Sequence, residues 1–138
     1  MVIQEVITLS PKGRGFHLVT DELAAKLSGL GRIRTGIAHL FLQHTSAALS
    51  LNENADPTVR GDMESFFSDL ADGKTYYRHT CEGPDDMPAH IKSTLVGASL
   101  QIPITGGRLN LGIWQGVYLC EFRDHPTSRK LVVTLMGE

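Results

Sequence analysis

No stretch of this 138-residue chain is apolar for long enough to cross a bilayer as a helix. Nor is there a basic excess: thirteen lysines and arginines face fifteen acids, a formal charge of −2. That balance speaks against a partner held by its phosphate backbone or by an anionic membrane surface. Cysteine is scarce. Cys81 and Cys120 are too few for a disulfide framework. Glutamate interrupts the first apolar stretch, MVIQEVITLSPKGRGF, and its basic residues follow rather than precede it, the reverse of an export signal. A cytoplasmic protein with free thiols is expected. Internal repeats, low-complexity tracts and linkers are also missing, so residues 1–138 are expected to form a single domain. GxxxxGK[ST], GxGxxG after a strand and GxSxG are all absent, which removes the common nucleotide loops and the hydrolase elbow.

What is present is mostly strand. Residues 2–9 alternate imperfectly, "SPKGRG" turns the chain, and 16–20 follow as a short strand. Asp21 is expected to cap a short helix carrying Leu23, Leu27 and Leu30 at helical spacing. Residues 33–44 are apolar on both phases, which suits a strand covered on both faces, and 47–53 form the next strand. Asp56-Pro57 starts a helix whose stripe is Val59, Met63, Phe66, Phe67 and Leu70. "DDMPAHIKSTLVGAS" reads as a second N-capped helix after the irregular residues 73–85. Three β segments close the chain, the middle one long enough to bend or break at its glycines. Strands outnumber helices and do not alternate with them. The expected fold is α+β: a mostly antiparallel, sandwich-like sheet with about three short helices.

The six histidines are unequal. His17 and His39 lie inside strands and read as packed residues, and His125 reads as a solvated loop residue. His44, His79 and His90 fall where regular structure begins or ends, where sites concentrate. His44 shares a phase with Leu40 and Leu42, and Glu53 with Leu49 and Leu51, so both ask for buried partners. Asp56 is explained as a cap, while Asp62 flanks an apolar stripe. On a helical wheel His90, Ser93, Thr94 and Gly97 share a small, polar face suited to lining a cavity. In the first turn His90 is expected to be neutral, able to ligate a metal or act as a base, beside amides that hold anions. Lys74 and Lys92 are candidate phosphate neutralisers. His79 and Glu82 lack the paired spacing of a structural zinc site, but three dispersed histidines can converge into an open one. Trp114, between Gly112 and Gly116, reads as core packing or as the cover of a pocket or subunit contact, and Glu121 and Arg123 share a strand face that suits an ion pair, internal or across subunits.

"HTSAALSLNENADP", "DMPAHIKS", "GRLNLGIWQG" and "YLCEFR" together resemble the YjbQ family, small bacterial and archaeal proteins described as secondary thiamine-phosphate synthases. The likeness runs over nearly the whole chain, with Ile113 where many members have threonine. It implies a β-rich α+β homotrimer with polar clefts between subunits. The activity it implies joins a hydroxymethylpyrimidine diphosphate to a thiazole phosphate, releasing pyrophosphate. The matching residues assign catalysis to His44, Glu53, His90 and Lys92, and metal binding to His44, His79 and His90. Thr45, Ser46, Asn52, Ser93, Trp114 and Gln115 are assigned to substrate and phosphate. Such a transfer normally uses magnesium, yet a histidine-rich set suits zinc better, and no DDxxD-like run is present. Two readings stand: a metal-assisted transferase acting on a small phosphorylated molecule, or a non-enzymatic trimer that binds a metal or such a metabolite.

Overall fold

A computed structural model describes residues 1–138 as two antiparallel sheets and three α-helices. The strands are β1 (Val2–Lys12), β2 (Gly15–Leu18), β3 (Thr35–Leu42), β4 (Ala47–Glu53), β5 (Ser99–Thr105), β6 (Arg108–Leu109), β7 (Gln115–Glu121) and β8 (Thr127–Gly137). The helices are α1 (Thr20–Lys26), α2 (Pro57–Ala71) and α3 (Asp86–Val96). One sheet has the order β1-β8-β3-β5-β6 and the other β2-β7-β4. Residues 43–46 therefore do more than end a strand. They carry the chain from the first sheet to the second.

Three layers follow from the residue phases. Ala38, Leu40 and Leu42 of β3 and Leu131, Val133 and Leu135 of β8 point inward from the first sheet. They meet Ala47, Leu49, Val117 and Leu119 of the second, and Leu23, Leu27 and Leu30 close one end. The other face of the second sheet is also covered: Phe16, Ala48, Tyr118, Cys120 and Phe122 pack against α2 and α3 through Met63, Phe67, Ala89 and Val96. β4 and β7 are thus apolar on both phases because they form the middle layer. Gly36 allows β3 and β8 to close up, since a Cβ there would lie 2.0 Å from the Met136 carbonyl oxygen.

Several expectations shift. α1 begins at Thr20 after Val19, which supplies no side-chain cap, and Asp21 sits inside the first turn. Asp56 caps α2 as its spacing predicts, accepting from the Thr58 amide at 2.9 Å. The α2 stripe is narrower than five residues: Phe66 and Leu70 are exposed, because only the row through Met63 and Phe67 faces the sheet. The long middle one of the three closing β segments does break, into β6 and β7, across the turn that holds Trp114.

One ion pair joins the sheets. Glu121 of β7 and Arg129 of β8 are both buried, and Arg129 Nε donates to Glu121 Oε1 at 2.8 Å. Replacing Glu121→Gln leaves a buried guanidinium without its countercharge. A loss of about 3–5 kcal/mol is expected, measured by urea unfolding of the two proteins.

Candidate functional site

The loop before α3, the first turn of α3 and the end of β7 meet at one acidic pair. Asp85 and Asp86 are both buried, an arrangement that requires partners. Arg123, just beyond β7, supplies them. Its Nε donates to Asp85 Oδ2 and its Nη1 to Asp86 Oδ1, each at 2.8 Å, while Nη2 donates to the Glu82 carbonyl. Asp85 also accepts from the Asp124 amide at 2.8 Å, so it holds the chain after β7 rather than capping α3. Burial works to raise the Asp86 carboxyl. The His79 hydrogen bond, with His90 and Arg123 nearby, outweighs burial and holds it below the usual carboxylate range.

The second Asp86 oxygen is where two imidazoles converge. His79 Nε2 lies 2.7 Å and His90 Nε2 3.0 Å from Asp86 Oδ2. His90 reaches it because residues four apart share a helix face; His79 arrives from the irregular segment. His90 Nδ1 lies 2.8 Å from the Thr45 carbonyl oxygen, and a carbonyl only accepts. Nδ1 therefore carries hydrogen, and a neutral His90 turns a bare Nε2 towards a carboxylate oxygen. Two lone pairs facing each other at 3.0 Å need a proton or a cation between them. All three ligand atoms lie within 4.8 Å of one another. The donor set, two imidazoles and one carboxylate, suits zinc and related transition metals more than magnesium. The Nδ1–H···O=C contact is the usual outer support of a ligating histidine. His79 is exposed, so the cluster has an open side. Against it lies a hollow of about 180 Å³ lined by Lys74, Thr75, Tyr77, Thr80 and Met87.

The expected site residues divide between several places. His44 does not join His79 and His90. Its Nε2 accepts from the Lys130 amide at 2.9 Å, so it fastens the crossover to β8. Burial and the positive charge of Arg129 hold its imidazole below the ordinary histidine range, in keeping with that acceptor role. Thr45 contributes its carbonyl to His90, Ser46 its carbonyl to Arg129, and Ser93 donates to the Ala47 carbonyl at 2.8 Å. Lys92 is fully buried, its Nζ 2.9 Å from Asp72 Oδ1, and does not face the hollow. Asn52 and Glu53, at the end of β4, pair with Gly116 and Gln115 of β7. Trp114 is exposed on the same turn, and Asn54 bonds the Ile113 and Gln115 carbonyls there.

Asp86 and Arg123 were the residues sequence reasoning left without a role in the site. Asp86–His90 is a legible four-residue spacing on a helix. Arg123 gave no such signal, because its partners lie 37 and 38 residues away.

Fold and cluster together define an α+β protein with an open two-histidine, one-carboxylate candidate metal centre. The chain belongs to the YjbQ family: the profile described as "UPF0047 protein YjbQ-like" matches residues 5–138. It is 56% identical over 138 residues to "UPF0047 protein YjbQ" of Salmonella typhimurium, covering all of both chains. The protein of the same name from Escherichia coli O157:H7 is 53% identical, again over all of both. Among solved structures, a hypothetical protein from Aeropyrum pernix superposes with TM-score 0.85 at 30% identity, covering 99% of each chain. A conserved hypothetical protein from Thermus thermophilus gives 0.83 at 38%, covering 96% of this chain and 99% of that one.

The two acid positions near Arg123 are expected to differ sharply. Asp86→Asn removes a buried charge that faces Arg123 and two imidazoles and should cost about 3–5 kcal/mol. Glu82→Ala removes an exposed carboxylate 4.0 Å from Arg123 and should cost under about 1 kcal/mol. Paired denaturant melts measure both.

Proposed function

We propose that this chain binds one transition-metal ion, zinc by preference, through His79, Asp86 and His90, and uses it on a small phosphorylated molecule. The observation that carries this reading is the geometry of His90. Its Nδ1–H is committed to Thr45, which turns its other nitrogen onto the oxygen that His79 also approaches. The hollow beside His79 is the place for the substrate, with Lys74 on its wall as a phosphate partner. A metal held there would supply a Lewis acid for a phosphate oxygen; the side chains bind, orient and neutralise. The transfer that forms thiamine phosphate from a pyrimidine diphosphate and a thiazole phosphate is the first reaction to assay.

A binding role without turnover is the second reading, and one feature favours it. Asp85 and one oxygen of Asp86 are committed to Arg123 and the other Asp86 oxygen to the two histidines, which leaves neither buried carboxylate free as a general base. Assembly enters either reading. The outer face of the five-stranded sheet exposes Val6, Ile37, Phe41 and Met136, with His39 stacked on Phe41. We assign this face to contacts between copies in a homotrimer.

Zinc titration of tag-free protein by calorimetry is expected to give one site per chain. His79→Ala and His90→Ala should each weaken it by more than the roughly 10–100-fold that losing an outer partner costs. His44→Ala should leave it unchanged. Zinc affinity equal in all four proteins would end the metal reading. With the site confirmed, metal-dependent release of pyrophosphate marks the transferase, and stoichiometric metal without turnover marks the binding protein. For assembly, light scattering should give three times the 15.1 kDa chain mass, and Phe41→Glu should return the monomer.

A further inference from the structure

A second cavity lies on the other side of α3's reach and is built quite differently. Between α2, α3 and the middle sheet is a cleft of about 290 Å³. Its walls are apolar: Phe16, Met63, Phe67, Val96 and Tyr118 line it, and Leu95 stands exposed at its rim. Polar character comes from Ser50 and Asn52 on the floor and from Arg60 in the first turns of α2. The Arg60 Nη1 atom is shielded from solvent and has no hydrogen-bond partner.

A guanidinium in that position asks for an anion. The neighbouring acids are engaged elsewhere through one oxygen each, and neither bonds Arg60. Asp56 senses Arg60, but its Oδ1 accepts from both the amide and the hydroxyl of Thr58. Glu64, one turn further along α2, meets Arg14 at 2.8 Å and accepts from Ser68 through Oε1, while its Oε2 is shielded from solvent without a hydrogen-bond partner and makes no bond to Arg60. The amino end of α2 adds a positive dipole at the same end of the cleft.

We propose that this cleft binds a small apolar carboxylate, with the hydrocarbon or aromatic body against Phe16, Phe67 and Tyr118 and the carboxylate on Arg60. One cation without a second donor cluster matches a singly charged, planar anion, which a guanidinium grips as a fork, better than a phosphate dianion. The volume falls just below the roughly 300–1,000 Å³ usual for small-molecule sites, so the ligand is short. The site shares no side chain with the His79–Asp86–His90 cluster and stands or falls without it.

The test uses 3-phenylpropionate and its neutral amide against the full-length protein, followed by amide chemical shifts. Saturable shifts at Val59, Met63, Leu95 and Val96 with the acid, and none with the amide, are expected. Arg60→Met should weaken binding at least tenfold without lowering the melting temperature, because no native partner is lost, and zinc affinity should not change. Arg60→Lys, which keeps the charge but not the fork, should fall between. Equal binding of acid and amide, no saturable shift in the cleft, or retained binding in Arg60→Met would overturn the proposal. A drop in melting temperature in Arg60→Met would overturn it too, by showing that Arg60 is already paired within the fold, with Glu64 its nearest candidate.

Discussion

The Glu121 carboxylate is the point on which the other parts depend. It accepts from Arg129 Nε and Nη2 and from the Arg123 amide, so one buried charge joins β7, β8 and the segment after β7. Arg129 in turn donates to the Ser46 carbonyl, on the crossover between the sheets. The neighbouring carbonyl, Thr45, orients His90. Arg123, whose amide Glu121 holds, carries Asp85 and Asp86 on its guanidinium. Taking charges out of water costs several kcal/mol per ion, and only near-complete hydrogen bonding offsets it. Here each partner of Glu121 also fixes one edge of the histidine cluster, so stabilising the sandwich and shaping the site are a single requirement.

The same logic accounts for the concentration of ionised groups around α2 and α3. Arg14 holds Glu64, Asp72 and Asp124, and Asp72 also receives Lys92. Asp124 gives its amide to Asp85. A continuous set of pairs therefore runs from the β1–β2 turn to the start of α3. The aromatic cluster of Phe16, Phe67 and Phe122 packs the helices onto the outer face of the three-stranded sheet, and the charge pairs at its margin add orientation. The consequence for chemistry is rigidity. The carboxylates at the cluster are fixed in place by arginine, which suits holding a cation and is ill suited to shuttling protons.

Much of this was legible in residue order. The phases of 47–53, the Asp56-Pro57 start and the break between β6 and β7 all followed from local rules, because local hydrogen bonding decides them. His79 and His90 stood out for the same reason: each lies at the edge of an element. His44 looked equivalent to them, and locally it is. Its different role is set by Lys130, 86 residues away and brought close only by the β3–β8 pairing. Lys92 is the same kind of case, since its burial over Phe122 depends on how α3 lies across the sheet. Asp86 had a local signal, four residues before His90, but at a helix start an acid has an adequate explanation as a favourable charge at the dipole.

The crossover at 43–46 shows why such a segment cannot be read from its own residues. A chain leaving one sheet for another must expose several backbone polar groups, and each needs a partner. His44 takes the Lys130 amide, the Ser46 carbonyl takes Arg129, and the Thr45 carbonyl takes His90. Two of these contacts serve the fold. The third places hydrogen on His90 Nδ1, so that in the neutral ring the other nitrogen is a lone pair turned towards Asp86. A requirement that begins as backbone satisfaction at a sheet-to-sheet corner thus ends by orienting a histidine of the candidate site. This makes the His90 tautomer, rather than the number of histidines nearby, the feature on which the proposed metal role rests.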